Sequence, residues 1–228
     1  MVNLGKNGEI VHSKRPIALF GGGEIGPDDL NLALNRVNGA VAADGGAAAL
    51  IDSGRVPDAV IGDFDSLERA YLARIPEDRL FPIREQDSTD FEKCLYGTKA
   101  DLYLGVGFMG RRLDHSLACL RTLAAYPDKR VVLVGEVDLV FLCPRRFSID
   151  LAAGTRVSIF PMGRVTVGPS NGLRWPLDGL VMEPFGQIGT SNVATGETIR
   201  MEFDADYALV ILPVEQLETV TKALFAGP

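Results

Sequence analysis

The stretch VIGDFDSL (60–67) sets Asp63 and Asp65 two positions apart where an apolar run ends. In an extended chain alternate residues face the same way, so both carboxylates aim to one side and Phe64 to the other. Like charges aimed together repel unless a proton or a cation lies between them. A solvated turn is the competing account, since Gly, Asp and Ser are ordinary turn residues. The pattern recurs, however, at other places where an apolar run stops: GGG (21–23), ADGG (43–46), REQDSTD (84–90) and GRRLDH (110–115). In an open parallel sheet ligands gather at the carboxyl ends of the strands, so these exits are expected along one edge. Asp63, Asp65 and Asp90 can there share a hard cation. Mg²⁺ is the natural expectation, because it takes a few carboxylates together with phosphate oxygens and water. Arg84, Lys93, Arg111 and Arg112 supply positive charge for phosphates. Phosphoryl transfer is the chemistry that suits such an edge, since there the protein mainly positions reactants and neutralises charge.

Other chemistries fit less well. GGGEIG (21–26) has the spacing of a dinucleotide-binding turn, with Asp44 ending the next apolar run. Pro27, Asp28 and Asp29 follow at once, and carboxylates in a first helical turn compete with a pyrophosphate for the same amides. The milder reading is that Gly22 and Gly23 let the backbone approach a phosphate-bearing ligand. The only histidines are His12 and His115, and there is no G-x-S-x-G, no P-loop and no Cys/His cluster for zinc.

Elements that hold these residues follow from the apolar patterning. Up to about residue 143, strand-like runs alternate with helix-like stretches. PIALF, GAVAAD, DAVIGDFD, DRLFPI, DLYLGVG, RVVLVG and DLVFLC read as strands; residues 27–37, 46–54, 67–75 and 113–125 read as helices. Thr89 and Glu92 have capping-box spacing, placing a further helix start at Asp90. Such alternation predicts a mostly parallel, Rossmann-like sheet with helices on both faces. After Pro144 no good amphipathic helix appears until the tail VEQLETVTKALF. RFSIDL, TRVSIFP, RVTVGP, ETIRMEF and YALVIL, punctuated by Gly, Pro and Asn, predict a small antiparallel β-sandwich. The expected division is residues 1–145 and 146–228.

Bulk properties narrow the function. The 228 residues are 46% hydrophobic and 23% charged, with a net charge of −7. This composition suits a soluble globular chain and argues against nucleic acid or an anionic membrane as main partner. No apolar run approaches the ~18 residues of a membrane span. The start MVNLGKNGEIVHSKRP lacks the apolar core of a signal peptide. Cys94, Cys119 and Cys143 are widely spaced, consistent with small buried side chains in a reducing cytoplasm.

Taken in order, ADGGAAAL, VPDAVIGDFDSL, QDSTDFEKCL, GRRLDH, GLRWPL and GTSN resemble the thiamine pyrophosphokinase family, from about Gly21 to Phe203. The resemblance implies an ATP-binding α/β domain followed by a β-sandwich domain, acting as a homodimer. It implies transfer of the pyrophosphoryl group of ATP to the hydroxyl of thiamine, with release of AMP. By that similarity Asp63, Asp65 and Asp90 are the magnesium and ATP carboxylates, and Arg112 and Asp114 complete the catalytic set. Gly22, Gly23, Asp44, Gly45, Gly46, Ser66, Gln86, Asp87, Thr89 and Lys93 make up the expected ATP site. Trp175, Thr190, Ser191 and Asn192 are placed near thiamine at the subunit interface. Ala48, Arg111 and Cys119 depart from the family's usual Asn, Gly and Asn.

Plainer readings stand beside these. Trp175 can be a core tryptophan, TSN (190–192) a plain turn, and Asp114 a charge that favours its helix dipole. Lys93 can pair with a neighbouring carboxylate, and His115 reads as structural. The alternatives for the whole chain are a pyrophosphokinase for another hydroxymethyl heterocycle, such as a pterin, or a nucleotide- or thiamine-binding protein without turnover.

Overall fold

The computed structural model describes residues 9–110 and 112–226. In chain order its regular elements begin with β1 (Val11–His12), β2 (Ile17–Phe20), α1 (Pro27–Leu34), β3 (Gly39–Ala43), α2 (Ala47–Asp52) and β4 (Ala59–Gly62). There follow α3 (Arg69–Leu72), β5 (Leu80–Pro82), α4 (Asp90–Gly97), β6 (Thr98–Lys99), β7 (Tyr103–Val106), α5 (Leu113–Ala125) and β8 (Val131–Val134). The remainder is β9 (Asp138–Leu142), β10 (Arg146–Ile149), β11 (Arg156–Pro161), β12 (Val165–Asn171), β13 (Val181–Met182), β14 (Gly189–Val193), β15 (Ile199–Phe203), β16 (Ala208–Pro213) and α6 (Leu217–Ala226). Two compact units result. One holds the chain up to Thr122 with Leu133–Glu136, the other Leu123–Val132 and the chain from Val137 on.

In the first unit β7, β2, β3, β4 and β5 lie side by side in that order, all parallel. Their sequences are continuous small and branched apolar runs, and every residue of β2, β3, β4 and β7 is buried. That is the signature of strands covered on both faces. α4 packs against β3 and β4, and α1 against β7. From β2 the chain winds outward through β3, β4 and β5, then returns to place β7 on the other side of β2. The strand order therefore reverses between β2 and β7, the point at which such sheets open a crevice beyond their carboxyl ends.

Helix boundaries were readable where a cap marks them. Thr89 Oγ1 accepts from Glu92 N at 3.2 Å and starts α4, while the Glu92 carboxylate takes Arg121 Nη1 at 3.0 Å. Gly54, at φ 82, closes the turn after α2. α3 is shorter than the expected 67–75, giving way to turns before Pro76. α5 forms as expected, with its first two leucines turned outward. Leu113 and Leu117 are 72% and 56% exposed, whereas Cys119, Thr122 and Leu123 carry the buried stripe. Around His12 the chain contributes β1, which pairs in parallel with β6.

The second unit is antiparallel, as the short punctuated runs predicted. One of its sheets runs β10-β15-β12-β13, and β14, β11, β16 and β9 pair in that order in another. Among the described residues no α-helix lies between β9 and α6. β9 departs from the expectation, which grouped it with the parallel strands: it pairs antiparallel with β16, Leu142 opposite Leu209. Only residues 135–137 separate β8 from β9, too few for the crossover that a parallel neighbour requires. No described helix is long and apolar enough to cross a membrane.

Candidate functional site

A cleft of about 510 Å³ opens at the β2/β7 reversal, entirely within the first unit. Its base is main chain. A Cβ at Gly21 would stand 2.5 Å from Gly107 O, and one at Gly23 would stand 2.6 Å from the same atom. The two strand exits are thus in contact through backbone alone, which only glycine permits. Gly22, Gly23 and Glu24 form one wall. In the GGGEIG turn two amides are already taken: Gly23 N donates to Gly107 O at 3.0 Å and Gly26 N to Asp29 Oδ2 at 3.1 Å, the latter inside the first turn of α1.

Asp44 lies on the floor. It is 2% exposed and adopts a left-handed backbone, φ 44. Gly62 makes room for it, since a Cβ there would come within 2.9 Å of Asp44 Cβ. Oδ2 accepts from Ser66 N at 3.2 Å, while Oδ1 is buried with no hydrogen-bond partner. Burial raises its pKa to about 6, and the charges of Asp90, Asp63 and Asp65 push the same way.

Asp63 and Asp65 do face one side, but not through an extended strand. β4 ends at Gly62 and Phe64 takes φ 65, so the pair sits in a turn. Asp65 N donates to Asp63 Oδ1 at 3.2 Å, the self-bonding expected of an aspartate turn. The turn is therefore what assembles the site. Gln86 Nε2 donates to Asp63 Oδ2 at 3.0 Å, and Ser66 Oγ donates to Asp65 Oδ1 at 2.9 Å. The Asp65 amide, then Gln86, hold the Asp63 carboxyl below the usual range.

Asp44, Asp63 and Asp65 each bring a carboxylate oxygen within 4.8 Å of the others. Like charges this close, one of them buried with an unsatisfied oxygen, fit a hard divalent cation. Asp90 is not one of these three. It lines the cleft from the first turn of α4, and Lys93 Nζ donates to its Oδ1 at 3.1 Å. Lys93 is buried, so its charge is directed at Asp90.

Of the other expected ATP-site residues, Gly45, Ser66 and Thr89 line the cleft, and Gly46 is buried beneath it. The Asp87 amide donates to Glu85 Oε2 at 2.8 Å. Arg84 is exposed, and Arg111 lies outside the described residues. Arg112 reaches the rim, where it forks onto Asp114 at 2.7 and 3.2 Å, both side chains being 66% exposed. That fork lowers the Asp114 pKa to about 2. His115 and Cys119 complete the rim, and burial pushes the Cys119 thiol up to about 12.

Glu85 escaped the sequence reading. Its carboxylate accepts from the amides of Asp87 and Ser88, from Ser88 Oγ and from Tyr96 OH, and so folds the loop that delivers Gln86 and Thr89. The available signal was an acid immediately before a short polar run into a capped helix.

In the second unit TSN is no plain turn. It belongs to β14, where Thr190 and Ser191 oppose the single residue Ser158 in a bulge, Ser191 at φ 62 with its amide on Ser158 Oγ at 3.0 Å. Asn192 is buried and clasps the neighbouring loop. Its Oδ1 accepts from Trp175 N at 3.1 Å and Val193 N at 2.8 Å, and its Nδ2 donates to Trp175 O at 2.7 Å. Trp175 is 52% exposed, with Arg174 5.0 Å from its ring, so it is not a core residue.

Comparison with known proteins bears on both units. Residues 30–134 match the family described as thiamin pyrophosphokinase, catalytic domain, and residues 146–208 match thiamin pyrophosphokinase, vitamin B1 binding domain. Thiamine pyrophosphokinase 1 of Oryza sativa subsp. japonica is 30% identical over 66% of this chain and 64% of its own. Thiamine pyrophosphokinase 1 of Arabidopsis thaliana is 32% identical over 66% and 63%. The chain thus spans a little under two thirds of the length of these curated relatives. Among solved structures, the thiamin pyrophosphokinase of Candida albicans superposes with a TM-score of 0.74 at 19% identity, over 88% of this chain and 89% of that one. The yeast enzyme gives 0.76 at 18%, over 90% and 88%. At these identities the structures support the fold.

Proposed function

The chain belongs to the thiamin pyrophosphokinase family, and on that premise we propose that it transfers the pyrophosphoryl group of ATP to the hydroxyl of thiamine, yielding thiamine pyrophosphate and AMP. The observation that carries this reading is the gathering of Asp44, Asp63 and Asp65 at the floor of a cleft on the sheet's reversal point.

Asp63, Asp65 and Asp44 are the residues that would hold Mg²⁺, and the ion would give the orphaned Asp44 Oδ1 a partner. When bound, the ion compensates charge on the phosphate oxygens. Gly22, Gly23 and Gly45 let the triphosphate lie against backbone. Gln86 keeps Asp63 ionised and aimed. Lys93 fixes Asp90 at the cleft wall, and Arg112 turns from Asp114 to the phosphates as they arrive. The thiamine oxygen bonds to the β-phosphorus while the bond from that phosphorus to the oxygen of AMP breaks. The hydroxyl proton passes to a carboxylate of the cleft. Trp175, Thr190, Ser191 and Asn192 form the thiamine side, with Asn192 acting through its hold on the Trp175 loop. A homodimer brings one subunit's thiamine side to the other's cleft. The second domain is taken to begin at residue 146, where the second family match starts, within a compact unit that takes in the chain from Val137 on. Free, buried Cys94, Cys119 and Cys143 suit a reducing cytoplasm.

The test is a chromatogram of protein incubated with ATP, Mg²⁺ and thiamine, each omitted in turn. Equal amounts of AMP and thiamine pyrophosphate, requiring all three, are expected. ATP left unconsumed with thiamine overturns the acceptor, and turnover with a pterin alcohol would reassign it.

A further inference from the structure

The second unit contains a cleft of about 340 Å³ that shares no residue with the nucleotide cleft. Cations dominate its walls: Lys129 and Arg130 from the turn after α5, Arg145 and Arg146 entering β10, and Arg200 on β15. Strand register explains part of the grouping. Arg146 lies opposite Glu202 and Ser148 opposite Arg200, so these side chains share the outer face while Phe147, Ile149 and Met201 point to the core. Among the described residues the two carboxylates of the cleft do not balance its four arginines. Asp206 takes Arg145 at 2.9 Å, and Glu202 reaches Arg146 only at 3.9 Å. Arg130 and Arg200 make no ion pair among the described residues. The floor is apolar, with buried Cys143, Phe147 and Met201. Among the described residues the arginines thus outnumber the carboxylates, which is unexpected in a chain of net charge −7.

We propose that this cleft is a separate binding site for a small phosphate ester, its one or two phosphates gripped by Arg146 and Arg200 and its organic body resting on the apolar floor. Guanidinium forks match phosphate oxygens two at a time, and the volume is that of a small-molecule pocket. Nucleotides and the diphosphate product assigned above both carry this chemistry. The site itself rests on the second unit's geometry and not on that assignment.

The experiment is calorimetric titration of the chelator-treated, full-length protein with inorganic pyrophosphate, and then with AMP, ATP and thiamine pyrophosphate. Without metal the acidic floor of the other cleft repels these anions. Saturable binding that weakens as salt rises is expected, reduced at least about tenfold in the Arg146→Ser/Arg200→Ser double variant, with melting temperature and turnover unchanged. The tightest organic ligand in that series identifies the source of the phosphate. Arg200→Gln alone provides the same comparison should the double variant melt early. Absence of binding at millimolar pyrophosphate, or equal affinity in wild type and variants, overturns the proposal.

Discussion

Lys93 Nζ stands 3.1 Å from Asp90 Oδ1, the lysine side chain 3% exposed and the aspartate 38%. The buried member thus anchors the one that meets the cleft. Methionine fills the volume of the lysine stem, and Asp90 can still reach water. Lys93→Met should therefore change stability by about 1 kcal/mol or less. Turnover should fall about 10–100-fold, because the carboxylate loses its orienting partner. Urea melts and steady-state kinetics check both; wild-type kcat would make the pair purely structural.

Asp44 makes the metal-free protein sensitive to pH. Its folded pKa of about 6 exceeds the ordinary 3.8, so between these values the folded chain keeps a proton that the unfolded chain has released. Stability is then highest below the window and falls as pH rises through it, by about 3 kcal/mol at most. Asp63 and Asp114 are shifted downward and act in the opposite sense, in more acid solution. Urea unfolding at pH 4.5 and 7 should show the loss, and Asp44→Asn should abolish it. Added Mg²⁺ should restore stability at pH 7 but not at pH 4.5, where a proton occupies the site.

Asp63 combines two roles, accepting from the Asp65 amide and Gln86 and facing the shared centre. Asparagine keeps its shape and loses its charge. Asp63→Asn should fold with an unchanged melting temperature and lose about 3 kcal/mol of transition-state stabilisation, or roughly a hundredfold in kcat. Near wild-type turnover at saturating Mg²⁺ contradicts the assignment.

Asn192 holds the Trp175 loop through two hydrogen bonds, and its Oδ1 also accepts from the Val193 amide. Asn192→Ala leaves buried backbone groups unpaired and should cost about 2–3 kcal/mol in stability. It should also raise KM for thiamine more than KM for ATP. Trp175 is the only tryptophan, so its fluorescence anisotropy reports loosening of the loop directly.

The parallel half was legible because its strands are buried on both faces and read as unbroken apolar runs, and because Thr89 caps α4 through its side chain. β1 and β6 were not legible, being two-residue strands with no pattern to detect. α5 forms over the expected 113–125, but apolar spacing alone does not say which side meets a neighbour: Leu113 and Leu117 are exposed while Cys119 and Leu123 are buried. At the site, types and spacing pointed to Asp63, Asp65 and Asp90, of which Asp63 and Asp65 lie in the close carboxylate cluster. The inclusion of Asp44 in the tight cluster depends on Gly62 giving way beside it, a matter of three-dimensional contact. Glu85 and the Asn192 clasp act on backbone amides, which leave no mark on residue type at the receiving end.

The base of the nucleotide cleft is main chain pressed against main chain at Gly21, Gly23 and Gly107. Such a surface has no side chains for mutation to reshape, so drift there is all or nothing: any larger residue separates two adjacent strand exits. On the proposed function, a change of phosphoryl acceptor would have to proceed through the rim and the second unit, because this backbone seat cannot be altered in small steps.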